Sequence, residues 1–112
     1  MQPASEPVRP KSVVCIGAFC IDMVCAVQEP VQTGQAVCCS HFSRTLGGKG
    51  LNQSIAAARA GGTVSHAGKI GGDGTVLTDI LRESGVDTDF VTVGDGPSGH
   101  AVIQVDPSGQ NC

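Results

Sequence analysis

The apolar positions of the chain change period several times. "SVVCIGAF", residues 12–19, is a continuous apolar run interrupted at Gly17, the pattern of a strand buried on both faces in the middle of a parallel sheet. From Ile21 the period becomes two, with Ile21, Met23, Cys25 and Val27 on one face, which predicts a half-exposed strand over about 21–28. "EPVQTGQ" is turn-rich, and "AVCCSHFSR" predicts a further strand over about 36–43. Leu51, Ile55 and Ala58 then recur at i, i+4 and i+7, predicting a helix that Gly61 and Gly62 end. "TVSHAGKI" reads as a short strand. Asp73 is placed to cap a second helix with Val76, Leu77, Ile80 and Leu81 on one face, closed by Gly85. Strand, helix, strand and helix in that order predict an α/β fold with a parallel sheet and right-handed crossovers.

The last third breaks the order. "DFVTV" and "HAVIQV", about 89–94 and 100–105, predict two strands of a hairpin around "GDGPSG". "DPSG" has the residues of a type I turn, which hands over to a returning strand, and only Gln110, Asn111 and Cys112 follow. The expectation is a fragment of something longer. The opening "MQPASEPVRPK", residues 1–11, holds three prolines and is expected to be a loose tail before a single unit over 12–112.

Composition narrows the function. A chain of 112 residues, 40% apolar, can build one small core at most. With no Trp or Tyr and three Phe, it lacks the aromatic platforms that stack on bases, and a net charge of −3 gives no basic footprint for nucleic acid or an anionic membrane. A soluble protein acting on small molecules fits better. Cysteines 15, 20, 25, 38, 39 and 112 form neither C-x-x-C nor a Cys/His zinc spacing, so no metal site is expected. Three of them lie within an apolar strand-like run and read as small hydrophobes, a reducing cytoplasm is the expected home, and one of Cys38 and Cys39 is expected to face the core and the other outward.

The candidate chemistry sits at the mouth of the first helix, "LGGKGLNQSIAAARAGG", residues 46–62. Gly47 and Gly48 admit close backbone approach, and free N–H groups at a helix start suit a polar or anionic guest. The nucleotide loops G-x-x-x-x-G-K-[ST] and G-x-G-x-x-G are both absent, failing at Gly50 and Gln53. Taken alone, a Gly-Gly pair before a helix reads as a tight strand-to-helix turn.

The wider stretch "LGGKGLNQSIAAARAGGTVSHAGKIGGDG", together with "VVCIGAFCIDMV", "KIGGDGTVLTDILRESGVDTDFV" and "SGHAVIQVDPSGQN", resembles the N-terminal portion of the ribokinase family, the phosphofructokinase-B-type carbohydrate kinases. The resemblance runs from Ser12 onward. It implies a ribokinase-like, Rossmann-type parallel sheet with a small β-sheet lid, the lid strands being those at about 21–28, 36–43, 89–94 and 100–105. It implies a sugar substrate, with Asp22 holding sugar hydroxyls and Gly48, Lys49 and Asn52 contacting the sugar, while Gly47 and Gly50 give hinge freedom and backbone approach. ATP and Mg²⁺ are implied for the intact enzyme, and a homodimer through the lid follows from relatives that pair that way.

Two departures carry weight. Cys20 stands where ribokinases commonly have Asn, which counts against ribose. The family's catalytic Asp, its anion hole and its nucleotide pocket lie in the later half of the fold, so no catalytic residue and no metal ligand is expected in this chain, and the chain alone is expected to be inactive. A nucleoside kinase of the same family and a catalytically inactive sugar-binding or dimerisation fragment are the competing readings. "GGKG" favours the sugar side. Against the site reading, Asp22 ends a strand, Lys49 is a solvated first-turn charge and Asn52 bonds nearby backbone. His41, His66 and His100 have no paired carboxylate in sequence and are expected at surface or lid positions.

Overall fold

A computed structural model describes residues 12–112, and the tail expected at residues 1–11 lies outside the described residues. The elements in chain order are β1 (Ser12–Ile16), β2 (Cys20–Ala26), β3 (His41–Gly47), α1 (Lys49–Arg59), β4 (Thr63–Ile70), α2 (Thr75–Glu83), β5 (Val86–Val93) and β6 (His100–Val105). They form two three-stranded sheets. The first is parallel, in the order β1-β4-β5, and the second has the order β3-β2-β6, with β2 antiparallel to β3 and parallel to β6.

The core lies between the parallel sheet and the two helices. Along β4 the period-two alternation turns Val64, His66 and Ile70 inward, where they meet Leu51 of α1 and Leu77 and Leu81 of α2. Each buried leucine of that set contributes roughly 1.5–3 kcal/mol by leaving water. Helix α1 ends as its glycines require: Gly61, at φ 89°, donates its N–H to the Ala58 carbonyl, and Gly62 donates to Ala57. On α2, Leu77 and Leu81 are buried while Val76 is 46% exposed, because neighbouring residues on a helix cannot share one face.

Several expectations change. The run at 12–16 is an edge strand, paired only with β4, and Val14 and Ile16 are largely exposed. The hairpin over 89–94 and 100–105 does not form. Residues 86–93 are the third strand of the parallel sheet, whereas β6 crosses to the second sheet beside β2, so 89–94 is not a lid strand. Its alternation arises because the helices cover only one face of the parallel sheet: Val86 and Thr88 are buried, and Asp87, Asp89 and Phe90 face away. The strand expected at 36–43 begins only at His41, and the strand at 21–28 runs over Cys20–Ala26.

Asp73 does not cap α2, whose N-cap is Gly74 without a side-chain bond. His66 is fully buried rather than at the surface. Cys25 and Cys39 are disulfide-bonded, with Cα atoms 5.3 Å apart, so the cysteines are not all free, and both Cys38 and Cys39 are exposed. The pairing removes the cysteine argument for a reducing compartment. Among the described residues no helix is long and apolar enough to cross a membrane. The "DPSG" turn does form: the Gly109 N–H donates to the Asp106 carbonyl, and Gln104 and Cys112 exchange backbone hydrogen bonds as the chain returns.

Parallel pairing aligns Ile16, Ala67 and Phe90 in one row on the face away from the helices, with Ile16 83% and Phe90 59% exposed. Parallel sheets are ordinarily covered on both faces. The chain at micromolar concentration is therefore expected to self-associate through this face, and Ile16→Lys with Phe90→Lys to reduce that association without loss of helix content. Sedimentation velocity with circular dichroism measures both, and a monomeric parent would contradict the expectation.

Candidate functional site

The site is organised by three residues that link the two sheets. Residues 17–19 leave β1, pass over the start of α1 and enter β2. The approach is backbone against backbone. The Gly50 N–H donates to the Ala18 carbonyl at 2.8 Å, and a Cβ on Gly50 would lie 2.6 Å from the Gly17 carbonyl oxygen. Gly48 adopts φ 103°, and a Cβ there would lie 2.8 Å from the Phe19 Cα. At Gly48 and Gly50, then, the glycines make room for protein backbone. The Gly50 amide is also already engaged and is not one of the free donors expected at this helix start.

Gly47 makes room for something else. In the β2–β3 register Cys20 lies opposite Gly47 and Asp22 opposite Thr45, so Cys20, Asp22 and Gly47 share one face of the second sheet. The space of a Gly47 side chain is filled by the Asp22 carboxylate, Oδ2 being the nearest atom. The Cys20 thiol donates to the other oxygen, Oδ1, at 3.3 Å. Burial pushes the Cys20 thiol up from its ordinary range, and the hydrogen bond to Asp22 and its charge push the same way.

Lys49 and Asn52 stand exposed in the first turn of α1. Among the described residues neither side chain has a hydrogen-bond partner, and no ion pair links Lys49 to Asp22. A carboxylate with an oxygen left over, near a helix start with an ammonium and an amide unengaged, suits a ligand with several hydroxyl groups.

Three features escaped the sequence. Ser54 Oγ and His66 Nδ1 lie 2.8 Å apart, and the Phe19 ring meets the imidazole edge-on at 4.6 Å. Both polar residues are fully buried, so the pair ties α1 to β4 and is no accessible nucleophile and base. The buried His66 Nε2 has no partner among the described residues. Burial pushes His66 below its ordinary value.

The second feature is Ser98, whose N–H and hydroxyl both donate to Asp73 Oδ1 at 2.8 Å, while its Oγ accepts the Gly71 N–H at 2.9 Å. These bonds hold Asp73 below the usual carboxylate range and pin the crossover from β5 to β6. The third is a cleft of about 400 Å³ at the C-terminal ends of β1 and β4, lined by residues 16–19, by Ala67, Gly68 and Lys69, and by Gly99. None of the expected sugar residues lines it.

The pfkB family carbohydrate kinase profile matches residues 10–112. The ribokinase of Bacillus subtilis (strain 168) is 35% identical over 98 residues, covering 83% of this chain and 33% of its own length. The crystal structure of ribokinase from Cryptococcus neoformans var. grubii serotype A in complex with ADP superposes with a TM-score of 0.81 at 35% identity, over 90% of this chain and 32% of that one. Arabidopsis thaliana ribokinase complexed with ribose and ATP gives 0.78 at 29% identity, over 92% and 34%. The chain thus spans about a third of the length of these relatives, and its fold is the N-terminal part of theirs.

Two outcomes check the geometry. Gly50→Ala, which pushes a methyl group into the Gly17 backbone, is expected to cost about 1–3 kcal/mol despite the better helix propensity of Ala. Gly72→Ala, with no atom within 4 Å of its Cβ, is expected to stay within about 0.5 kcal/mol. Equal effects in denaturant titrations would contradict the close approach. For His66, the unfolded chain holds its proton near the ordinary value of about 6.5 and the fold releases it at lower pH. The stabilisation is full above about 6.5 and is lost as pH falls through the folded value. The thermal midpoint is expected to fall between pH 7 and pH 5, with His66→Leu flattening that slope; an unchanged slope would contradict it.

Proposed function

Because the chain belongs to the pfkB family of carbohydrate kinases, we propose that it is the sugar-recognising part of an ATP-dependent kinase that phosphorylates a sugar hydroxyl. The observation that carries the reading is the Asp22 carboxylate, with one oxygen held by Cys20 and the other over Gly47. Asp22 accepts hydrogen bonds from sugar hydroxyls, while Lys49 and Asn52, exposed at the start of α1, supply donors from the other side. The second sheet is the lid over the bound sugar, held about three chain connections: residues 17–19, the step from β3 through Gly48 into α1, and the Ser98 crossover. A second copy of the chain pairs through this lid.

ATP and Mg²⁺ belong to the reading of the whole enzyme. Among the described residues no three His, Cys, Asp or Glu side chains converge, and the residues present do not fit a Mg²⁺–nucleotide site. The contribution of this chain is to bind and orient the sugar and to shield it from water. Phosphoryl transfer needs a phosphate clamp and a base to position and activate the nucleophile, so the chain alone turns over no ATP.

Isothermal titration of the chain with a panel of free sugars and nucleosides tests the reading. A sugar is expected to bind without ATP, and Asp22→Asn, which keeps the size and removes the charge, to weaken it by about 2–4 kcal/mol, roughly 30- to 1,000-fold. Binding within threefold of the parent, together with a fall in thermal midpoint of several degrees, would show that Asp22, which lies inside β2 and does not end it, serves only the packing of that strand against Gly47. Preference for nucleosides would move the substrate class.

A further inference from the structure

Among the described residues, Asp22 makes one side-chain hydrogen bond, and its partner is the Cys20 thiol. The two residues are separated by one position on β2, so they stand side by side on one face, with Cys20 nearer the 17–19 connection. The space around the thiol is set by glycines. Gly47 lies opposite it on β3, and a Cβ on Gly99 would come within 3.6 Å of the Cys20 Cβ, so a short side chain fits there. The cross-strand neighbours of Asp22, Thr45 on β3 and Ala101 on β6, carry no charge, and His100 pairs with Ile21 on the other face. No other ionisable group therefore faces the pair from the strands beside it.

A carboxylate on an exposed strand face turns freely about its side-chain torsions, and a ligand must then order it on binding. Here one oxygen is already held. We infer that Cys20 is a positioning residue for Asp22: its thiol fixes Oδ1 and leaves Oδ2, over the bare backbone of Gly47, as the oxygen that meets a ligand hydroxyl. This deepens the sugar reading and rests on Asp22 being the ligand's carboxylate. The thiol has a single proton, and giving it to Asp22 leaves none for the ligand, so Cys20 offers the ligand no donor of its own and its effect runs through Asp22. Because the thiol is held un-ionised above its ordinary range, it stays a donor through neutral pH.

Two measurements on the full chain test this. The rate of iodoacetamide alkylation at Cys20, mapped by fragment-ion mass spectrometry across pH, reads the pair without any ligand. Asp22→Asn is expected to move the Cys20 profile to lower pH and to raise its rate at pH 8 at least threefold, while the exposed Cys38 and Cys112 stay unchanged. The half-buried Cys15 reports whether the variant remains folded.

Titration with each free sugar of the panel, ribose included, then reads the consequence. Cys20→Ala is expected to weaken binding at least fivefold, and Cys20→Ser, which restores a donor, to return it within twofold of the parent. An unchanged Cys20 profile in folded Asp22→Asn, or binding by Cys20→Ala as tight as the parent's for a sugar the parent binds, overturns the inference. If the profile shifts but the parent binds no sugar, the thiol–carboxylate pair is supported and the sugar reading is what fails.

Discussion

The contact on which the rest depends is the hydrogen bond from the Gly50 amide to the Ala18 carbonyl, made possible because Gly17, Gly48 and Gly50 let two backbones meet. It fixes where the chain leaves the parallel sheet. Once residues 17–19 lie on the start of α1, Phe19 is driven into the core beside Leu51 and His66, and β2 begins at a defined place. Cys20 and Asp22 are the first and third residues of that strand, and Gly47 is the last of β3 before α1. The candidate site is thus assembled within a few residues of one backbone contact.

A second constraint comes from the far end of the second sheet. Strand β6 pairs with β2 along its full length, yet it follows β5 of the other sheet, so the crossing segment has to be anchored. Ser98 does this with three hydrogen bonds shared between Asp73 and Gly71. Asp73, which helix-start chemistry assigns to capping α2, is engaged by this crossover. With the 17–19 contact and the β3–α1 step at Gly48 on one side and Ser98 on the other, the second sheet is tied to the first layer at three places. The opposite face of the parallel sheet carries Ile16 and Phe90 in the open, an apolar row left uncovered.

Much of this was legible from residue order. The helices, the strand at 63–70, the turn at Asp106 and the glycine-marked approach at 47–50 follow from local chemistry that acts within a few residues. What was illegible depends on distant partners. The glycines announce a close approach, and only the fold reveals that Gly50 approaches Gly17 and that Gly47 admits Asp22. The alternation at 86–93 is the same for a lid strand and for a sheet covered on one face, so periodicity could not separate them. His66 had no visible partner because Ser54 sits on a helix. A polar Ser54 within the Leu51–Ala58 apolar stripe was the available hint. The Cys25–Cys39 bond has no spacing motif at all.

The central claim is that sugar recognition gathers where β2, β3 and α1 converge. Amide chemical-shift mapping of the isotopically labelled chain during titration with each free sugar of the panel, ribose included, tests it most directly. The account predicts shifts concentrated at residues 20–22 and 47–52, with the amides of α2 unmoved. Shifts confined to Ala67, Gly68 and Lys69, in the cleft at the strand ends, would contradict it.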